Sequence, residues 1–285
     1  MTPLRQQMID AMRQRGFSVR THQSYLSAVS DLARHYGRSP EQLSVGELQD
    51  YFNHLVIERS LSGATCRVYF HAVRFLYLQV LKRASFDIPF VIPKRAQRIP
   101  ELLTRDEVGR ILQACSNPKH RTLLEICYGC GLRVSEVVSL RVRHIDGERR
   151  LLRIEQGKGA KDRLVILAPS LIERLRRYWA LYRPADWWFP NAGDPPRPLS
   201  ITTAQRVFSC AKARSGVEKI GGIHGLRHAY ATHPLESGLP VHELQRLLGH
   251  SSLQSTLRYV HWLPEGLGSS SGYRDLVAEL EVRHG

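Results

Sequence analysis

The 285 residues are enough for two domains, each with its own hydrophobic core. Lysine and arginine number 41 against 26 aspartates and glutamates, a formal charge of +15 with a pI near 10.0, which points to a polyanionic partner, either nucleic acid or an anionic membrane surface. No run approaches the roughly 20 consecutive apolar residues that span a bilayer, and the polar start from Met1 to Arg15 is not signal-like, so a soluble intracellular protein is expected. The basic residues are dispersed along the chain instead of gathering on an amphipathic anchor, which favours nucleic acid.

Residues 1–83 read as helices joined by short turns, over 3–15, 19–36, 45–59 and 64–82. Tyr25, Val29 and Leu32 repeat at helical spacing before Gly37. Val45, Leu48, Phe52, Leu55 and Val56 follow a Ser44-x-x-Glu47 capping box. The outward faces carry Arg, Lys, Gln and His, which suits either a helical DNA clamp or a generic bundle with a solvated basic face. Residues 84–102 break the pattern with Pro89, Pro93 and Pro100 among Lys94, Arg95 and Arg98, and read as an extended basic linker.

A second domain, 103–265, opens on the capping box Thr104-x-x-Glu107 and a helix to about Cys115. A helix from Pro118 to Cys130 ends at Gly129-Cys130-Gly131, and helical spacing resumes from Val134 to Leu140. Leu151 to Glu155 and Arg163 to Leu167 are short β-type runs flanking a Gly157-Lys158-Gly159-Ala160-Lys161-Asp162 hairpin. From Pro169 the pattern is helical again, apart from a proline-rich loop from Trp187 to Pro198. Residues 266–285 read as a Gly/Ser tether and a short amphipathic helix from Asp275 to Val282. The expected fold class is mostly α with a small antiparallel β-sheet, in two domains. The five cysteines give no disulfide framework, and Cys127-x-x-Cys130 reads as two small buried residues, not as half a zinc site or a redox pair.

Six residues of the second domain carry chemistry. Arg133 follows a glycine break at a helix start. Lys158 lies at the hairpin tip between two glycines that allow close approach of a ligand. His224 and Arg227 share a helix face by their i, i+3 spacing. His250 follows Leu248-Gly249, and Tyr259 comes nine residues later. Cleaving a phosphodiester without a metal requires donors for the phosphoryl oxygens, a proton for the leaving oxygen and a base for the nucleophile. Arg133 and Arg227 suit the non-bridging oxygens, Lys158 the leaving 5′ oxygen, His224 the Tyr259 proton and His250 a phosphoryl oxygen. No paired carboxylates or His/Asp cluster mark a Mg²⁺ or Zn²⁺ site, so neither metal nor cofactor is expected. Tyr230 and Tyr273 are rival nucleophiles, and Lys161 is the rival lysine.

These residues and their neighbours, Gly-Leu-Arg-Val-Ser-Glu from 131, Gly-Lys-Gly-x-Lys-Asp-Arg from 157, His-x-Leu-Arg-His from 224 and Leu-Leu-Gly-His-Ser-Ser from 247, resemble the tyrosine recombinase (phage integrase) family. The resemblance extends over nearly the whole chain. It implies that 1–83 form a core-binding domain, that 103–265 form a catalytic domain, and that duplex DNA with an inverted-repeat core site is the partner. It further implies a 3′-phosphotyrosyl intermediate at Tyr259 and a homotetrameric synapse, formed alone or with a paralogue, whose C-terminal tails dock on neighbouring protomers. The bacterial cytoplasm, in association with the nucleoid, is the expected location. The chain starts directly at the core-binding-like helices, which favours a Xer-like or transposon-borne type; the style of the first domain also resembles integron integrases, but their insertion is expected to be absent between Lys158 and His224, so an integron-integrase-related branch stays as the alternative. Two other activities stay open: type IB topoisomerase-like relaxation and DNA binding without catalysis. The second is raised by Pro234, which stands where the family has an apolar helix former and is expected to kink or end the helix and displace Arg227.

Overall fold

A computed structural model describes residues 2–91, 99–155, 162–191 and 197–263. The chain divides into two compact units, Met1–Arg98 and Ile99–Gly285.

The first unit is helical. Helices α1 (Pro3–Gln14), α2 (Val19–Tyr36), α3 (Val45–Ile57) and α4 (Gly63–Phe75) are each started by a hydroxyl side chain, from Thr2, Ser18, Ser44 and Ser62, that accepts from a backbone N–H of the first turn. Ser44 and Glu47 complete the expected capping box, and Gly37 ends α2 at φ +64°. The chain after α4 stays helical but widens into a π turn, Leu76–Val80, closed by Leu81 N–H donating to the Leu76 carbonyl at 2.9 Å. Met8, Met12, Leu32, Leu48, Phe52, Leu55 and Leu76 make the core. The expected linker begins by packing: Ile88 is buried, and Phe90 stacks on Phe52 and Phe70, so this stretch belongs to the core of the first unit. Pro93, Lys94, Arg95 and Arg98 lie outside the described residues.

The second unit surrounds α6 (Pro118–Gly129), which is buried from Thr122 to Cys127 and packs against α8 (Pro169–Tyr182), α10 (His224–Glu236), α5 (Arg105–Gln113) and α9 (Ile201–Arg214). Helix α7 (Val134–Val138) follows, two residues shorter than its apolar spacing suggests. Strands β1 (Ile145–Asp146), β2 (Leu151–Ile154) and β3 (Arg163–Ile166) form an antiparallel sheet in the order β1-β2-β3, with Leu152 opposite Val165. Alternation reveals β2 and β3, whose Leu152, Ile154 and Val165 enter the core, whereas β1 is too short to show a period. The hairpin tip, with Lys158 and Lys161, lies outside the described residues. Two short helices, α11 (Val241–Leu248) and α12 (Gln254–Val260), pack with α10 around Ala231, Leu235, Leu244, Leu248 and Tyr259. Cys127 and Cys130 are buried free thiols, and burial pushes the Cys130 thiol up to about 12. Among the described residues, no helix is long and apolar enough to cross a membrane.

Pro234 corrects one expectation. It lies inside the last turn of α10, which neither ends there nor loses Arg227 from its place two turns earlier. Proline removes only the hydrogen bond to the Tyr230 carbonyl, and the helix closes just beyond, with Ser237 N–H donating to the His233 and Pro234 carbonyls.

Candidate active site

Arg133 owes its position to the glycine break. Gly131 adopts φ +58°, and a Cβ there would overlap the Tyr230 ring, so only glycine lets the chain leave α6 at this angle. Arg133 then caps α7 and is gripped by Glu136 one turn on. The Glu136 carboxylate accepts from the Arg133 backbone N–H at 2.9 Å and from Arg133 Nη1 at 2.8 Å. It also accepts both Nη groups of Arg163, at 2.8 and 2.7 Å. Burial alone would raise this carboxyl, but the hydrogen bonds and charges of Arg163 and Arg133 override it and hold it at about 2.

Arg227 projects from α10 and is 2% exposed. Its guanidinium donates to the Gly131 carbonyl, to the Leu248 carbonyl at 3.0 Å and to His250 Nε2 at 3.1 Å. It therefore ties the end of α6, the end of α11 and His250 together. Burial and the nearby charge of Arg133 lower its pKa to about 10, which leaves it cationic at neutral pH.

His250 follows Gly249, which ends α11 in the left-handed conformation at φ +64°. Its ring is fixed at both nitrogens, by Arg227 and by Thr256 Oγ1 at 2.9 Å from Nδ1. Burial, reinforced by the charge of Arg227, depresses it to about 4. His224, the first residue of α10, is also lowered by burial and by the charges of Arg227 and Arg133, so it is neutral and able to accept a proton at pH 7.

Tyr259 lies on α12 with its ring parallel to that of His250, centroids 6.2 Å apart, and edge-on to Trp262 at 5.0 Å. It is 5% exposed. Burial raises its hydroxyl above 10.0 although Arg227 and Arg133 pull the other way, so the resting side chain keeps its proton.

Arg133, His224, Arg227, His250 and Tyr259 line a single cavity of about 240 Å³, joined by His228, Arg258 and Trp262. Five of the six residues singled out from the sequence are thus brought together from α7, α10, α12 and the turn after α11. The sixth, Lys158, lies outside the described residues. Tyr230 is not on the cavity wall: it packs beneath Gly131, and burial pushes its hydroxyl up to about 12. Tyr273 lies outside the described residues.

Sequence reasoning passed over His228 and Trp262, and gave Glu136 and Arg163 no role. His228 stands between the expected base and the expected nucleophile, 4.5 Å from the His224 ring and 5.7 Å from the Tyr259 ring by centroids. The signal was present in helical spacing, since His228 is one turn beyond His224 and Trp262 nearly one turn beyond Tyr259.

A cavity with two fixed guanidinium groups, neutral imidazoles and a protonated tyrosine suits a phosphodiester. Residues 101–265 match the model of the phage integrase family, and residues 4–86 match that of the phage integrase N-terminal SAM-like domain. The chain belongs to the phage integrase family. A Sinorhizobium fredii (strain NGR234) protein with the provisional name integrase/recombinase y4qK is 42% identical over 91% of this chain and 84% of its own length. The tyrosine recombinase XerD of Rhizobium meliloti is 31% identical over 89% of this chain and 88% of its own. Among solved folds, a lambda integrase dimer bound to a core site superposes with a TM-score of 0.71 at 20% identity, over 88% of this chain and 95% of that one.

Proposed function

We propose that this phage integrase family member is a site-specific DNA recombinase that breaks and rejoins duplex DNA through Tyr259. The observation that supports this most is the enclosure of Tyr259, Arg133, Arg227, His224 and His250 in one cavity. Arg133 and Arg227 meet the non-bridging oxygens of the scissile phosphate, and His250 adds a hydrogen bond to one of them. Tyr259 Oη attacks phosphorus while its proton passes to His224, and Lys158 protonates the departing 5′ oxygen. The products are a 3′-phosphotyrosyl ester and a free 5′ hydroxyl. Attack by a 5′ hydroxyl from another strand reverses each transfer, so rejoining consumes no nucleotide.

The assembly implied by this reading is a tetramer on two inverted-repeat core sites, formed by this chain alone or with a paralogue. Residues 1–83 serve as the core-binding domain and 103–265 as the catalytic domain, with action on the nucleoid in the bacterial cytoplasm. Catalysis in the presence of Pro234 is supported by the three partners that hold Arg227, all outside α10.

The test is a supercoiled plasmid with two direct copies of DNA from the flanks of the gene. Two smaller recombinant circles are expected. Relaxed topoisomers without recombinants would assign the chain to type IB-like relaxation, and salt-sensitive binding without strand breakage would assign it to binding alone.

A further inference from the structure

Arg163 is the first residue of β3, at the foot of the hairpin, and the function just proposed gives it nothing to do. Its side chain is nonetheless among the most constrained in the second unit. Only 11% of it is exposed, and both Nη groups fork onto the two oxygens of Glu136, at 2.8 and 2.7 Å. The same carboxylate holds the backbone and Nη1 of Arg133. On its other side the aliphatic stem of Arg163 lies against Gly249. A Cβ at Gly249 would overlap Arg163 Cδ and stand 2.9 Å from Nε, so the glycine leaves room for this arginine as well as turning the chain at φ +64°. The next residue is His250.

We infer that Arg163 is a positioning residue that locks β3 to both Arg133, through Glu136, and the Gly249–His250 turn, and so sets the two groups against the scissile phosphate. Two alternatives fit the geometry less well. A direct phosphate contact is disfavoured because Arg163, unlike Arg133 and Arg227, is not on the cavity wall. A purely structural ion pair would not need the backbone of the His250 turn moulded around the arginine stem. Lysine cannot substitute, since a single ammonium cannot bridge both carboxylate oxygens while filling the space beside Gly249.

The inference rests on Arg133 meeting the scissile phosphate, and the experiment separates the two. Single-turnover cleavage is measured for wild type, Arg163→Lys and Arg133→Ala, on duplexes whose scissile position is either a phosphodiester or an uncharged methylphosphonate. Mispositioning of the clamp costs Arg163→Lys about 10- to 100-fold on the phosphodiester. DNA affinity and its salt dependence stay at the wild-type values, because no phosphate contact is removed. On the methylphosphonate, which lacks the ground-state charge and one of the two non-bridging oxygens that the clamp would meet, the loss shrinks to about threefold or less. Equal losses on both substrates, or no loss on the phosphodiester, overturn the role of Arg163. If Arg133→Ala itself loses nothing on the phosphodiester, the phosphate-clamp reading fails first. Glu136→Gln, which keeps the volume and removes the charge, is assayed in parallel and is expected to reproduce the charge-selective loss if Arg163→Lys proves too unstable to purify. A charge-independent loss in that variant overturns the inference as well.

Discussion

Arg227 Nη2 lies 3.1 Å from Nε2 of His250, and the opposite ring nitrogen lies 2.9 Å from Thr256 Oγ1. A guanidinium has only donors, so Nε2 must accept, and the imidazole is neutral with its proton on Nδ1, directed at Thr256. In this arrangement His250 cannot donate to a phosphoryl oxygen from Nε2 until Arg227 releases that nitrogen to turn to the phosphate and Nε2 itself gains a proton. An entering phosphate anion favours both changes. His250 is therefore expected to titrate near 4 in the free protein and to move upward when DNA binds. Nitrogen-15 spectra of the labelled imidazole measure this directly. A free-protein value near 6.5 would show that the Arg227 contact does not fix the ring.

The histidines also set a pH dependence of stability. His228 and His250 are both depressed to about 4 from 6.5, by burial first and then by neighbouring positive charge. Between those values the unfolded chain binds protons that the folded protein refuses, so stability falls as the pH drops from about 6.5 towards 4 and levels off below. Glu136 acts in the same direction over a lower window: its stabilisation is present above about 4.5 and is lost as the pH falls through about 2. Urea unfolding at pH 7, 5.5 and 4.5 should show the midpoint declining steadily. His228→Asn should flatten that decline, and an unchanged slope would show that folding does not depress His228.

Gly131 is a site where one methyl group acts on both stability and chemistry. It holds φ +58°, lies against the Tyr230 ring and offers its carbonyl to Arg227. Gly131→Ala is expected to cost at least about 2 kcal/mol from the left-handed backbone and the overlap. It is also expected to slow cleavage more than it weakens DNA binding. Chemical denaturation and single-turnover cleavage report the two effects separately.

Pro234 offers a contrasting case. Because Pro234 interrupts a backbone hydrogen bond in the last turn of α10 while Arg227 is held by partners outside that helix, Pro234→Leu should raise the thermal midpoint, with a gain in unfolding free energy of at most the ~3 kcal/mol that an interior helical proline costs. The cleavage rate should stay unchanged. A faster enzyme would show that the proline does reach Arg227.

Much of this arrangement was legible in the sequence because it is written in local signals. Hydroxyl caps at Ser18, Ser44, Ser62 and Thr104 start helices by a backbone contact three residues away, and alternation at Leu152, Ile154 and Val165 marks strands facing a core. The same holds for His224 and Arg227, which share a face by spacing alone. The features that escaped depend on contacts distant in sequence. Arg163 meets Glu136 across 27 residues, and Tyr230 packs against a glycine 99 positions earlier, away from the cavity wall. Pro234 misled because its cost is local, whereas Arg227 is held by three partners, all outside α10.

The central claim is that Tyr259 becomes covalently joined to the 3′ side of the cut strand. The most direct test traps the protein on a nicked duplex from the gene's flanks in EDTA, digests the adduct and locates the nucleotide remnant by mass spectrometry, with Tyr259→Phe as the control. A 3′-phosphonucleotide on the peptide containing Tyr259, a free 5′ hydroxyl on the released strand and no adduct in Tyr259→Phe are expected. An adduct on Tyr230 or Tyr273, or one linked through a 5′ phosphate, would contradict it.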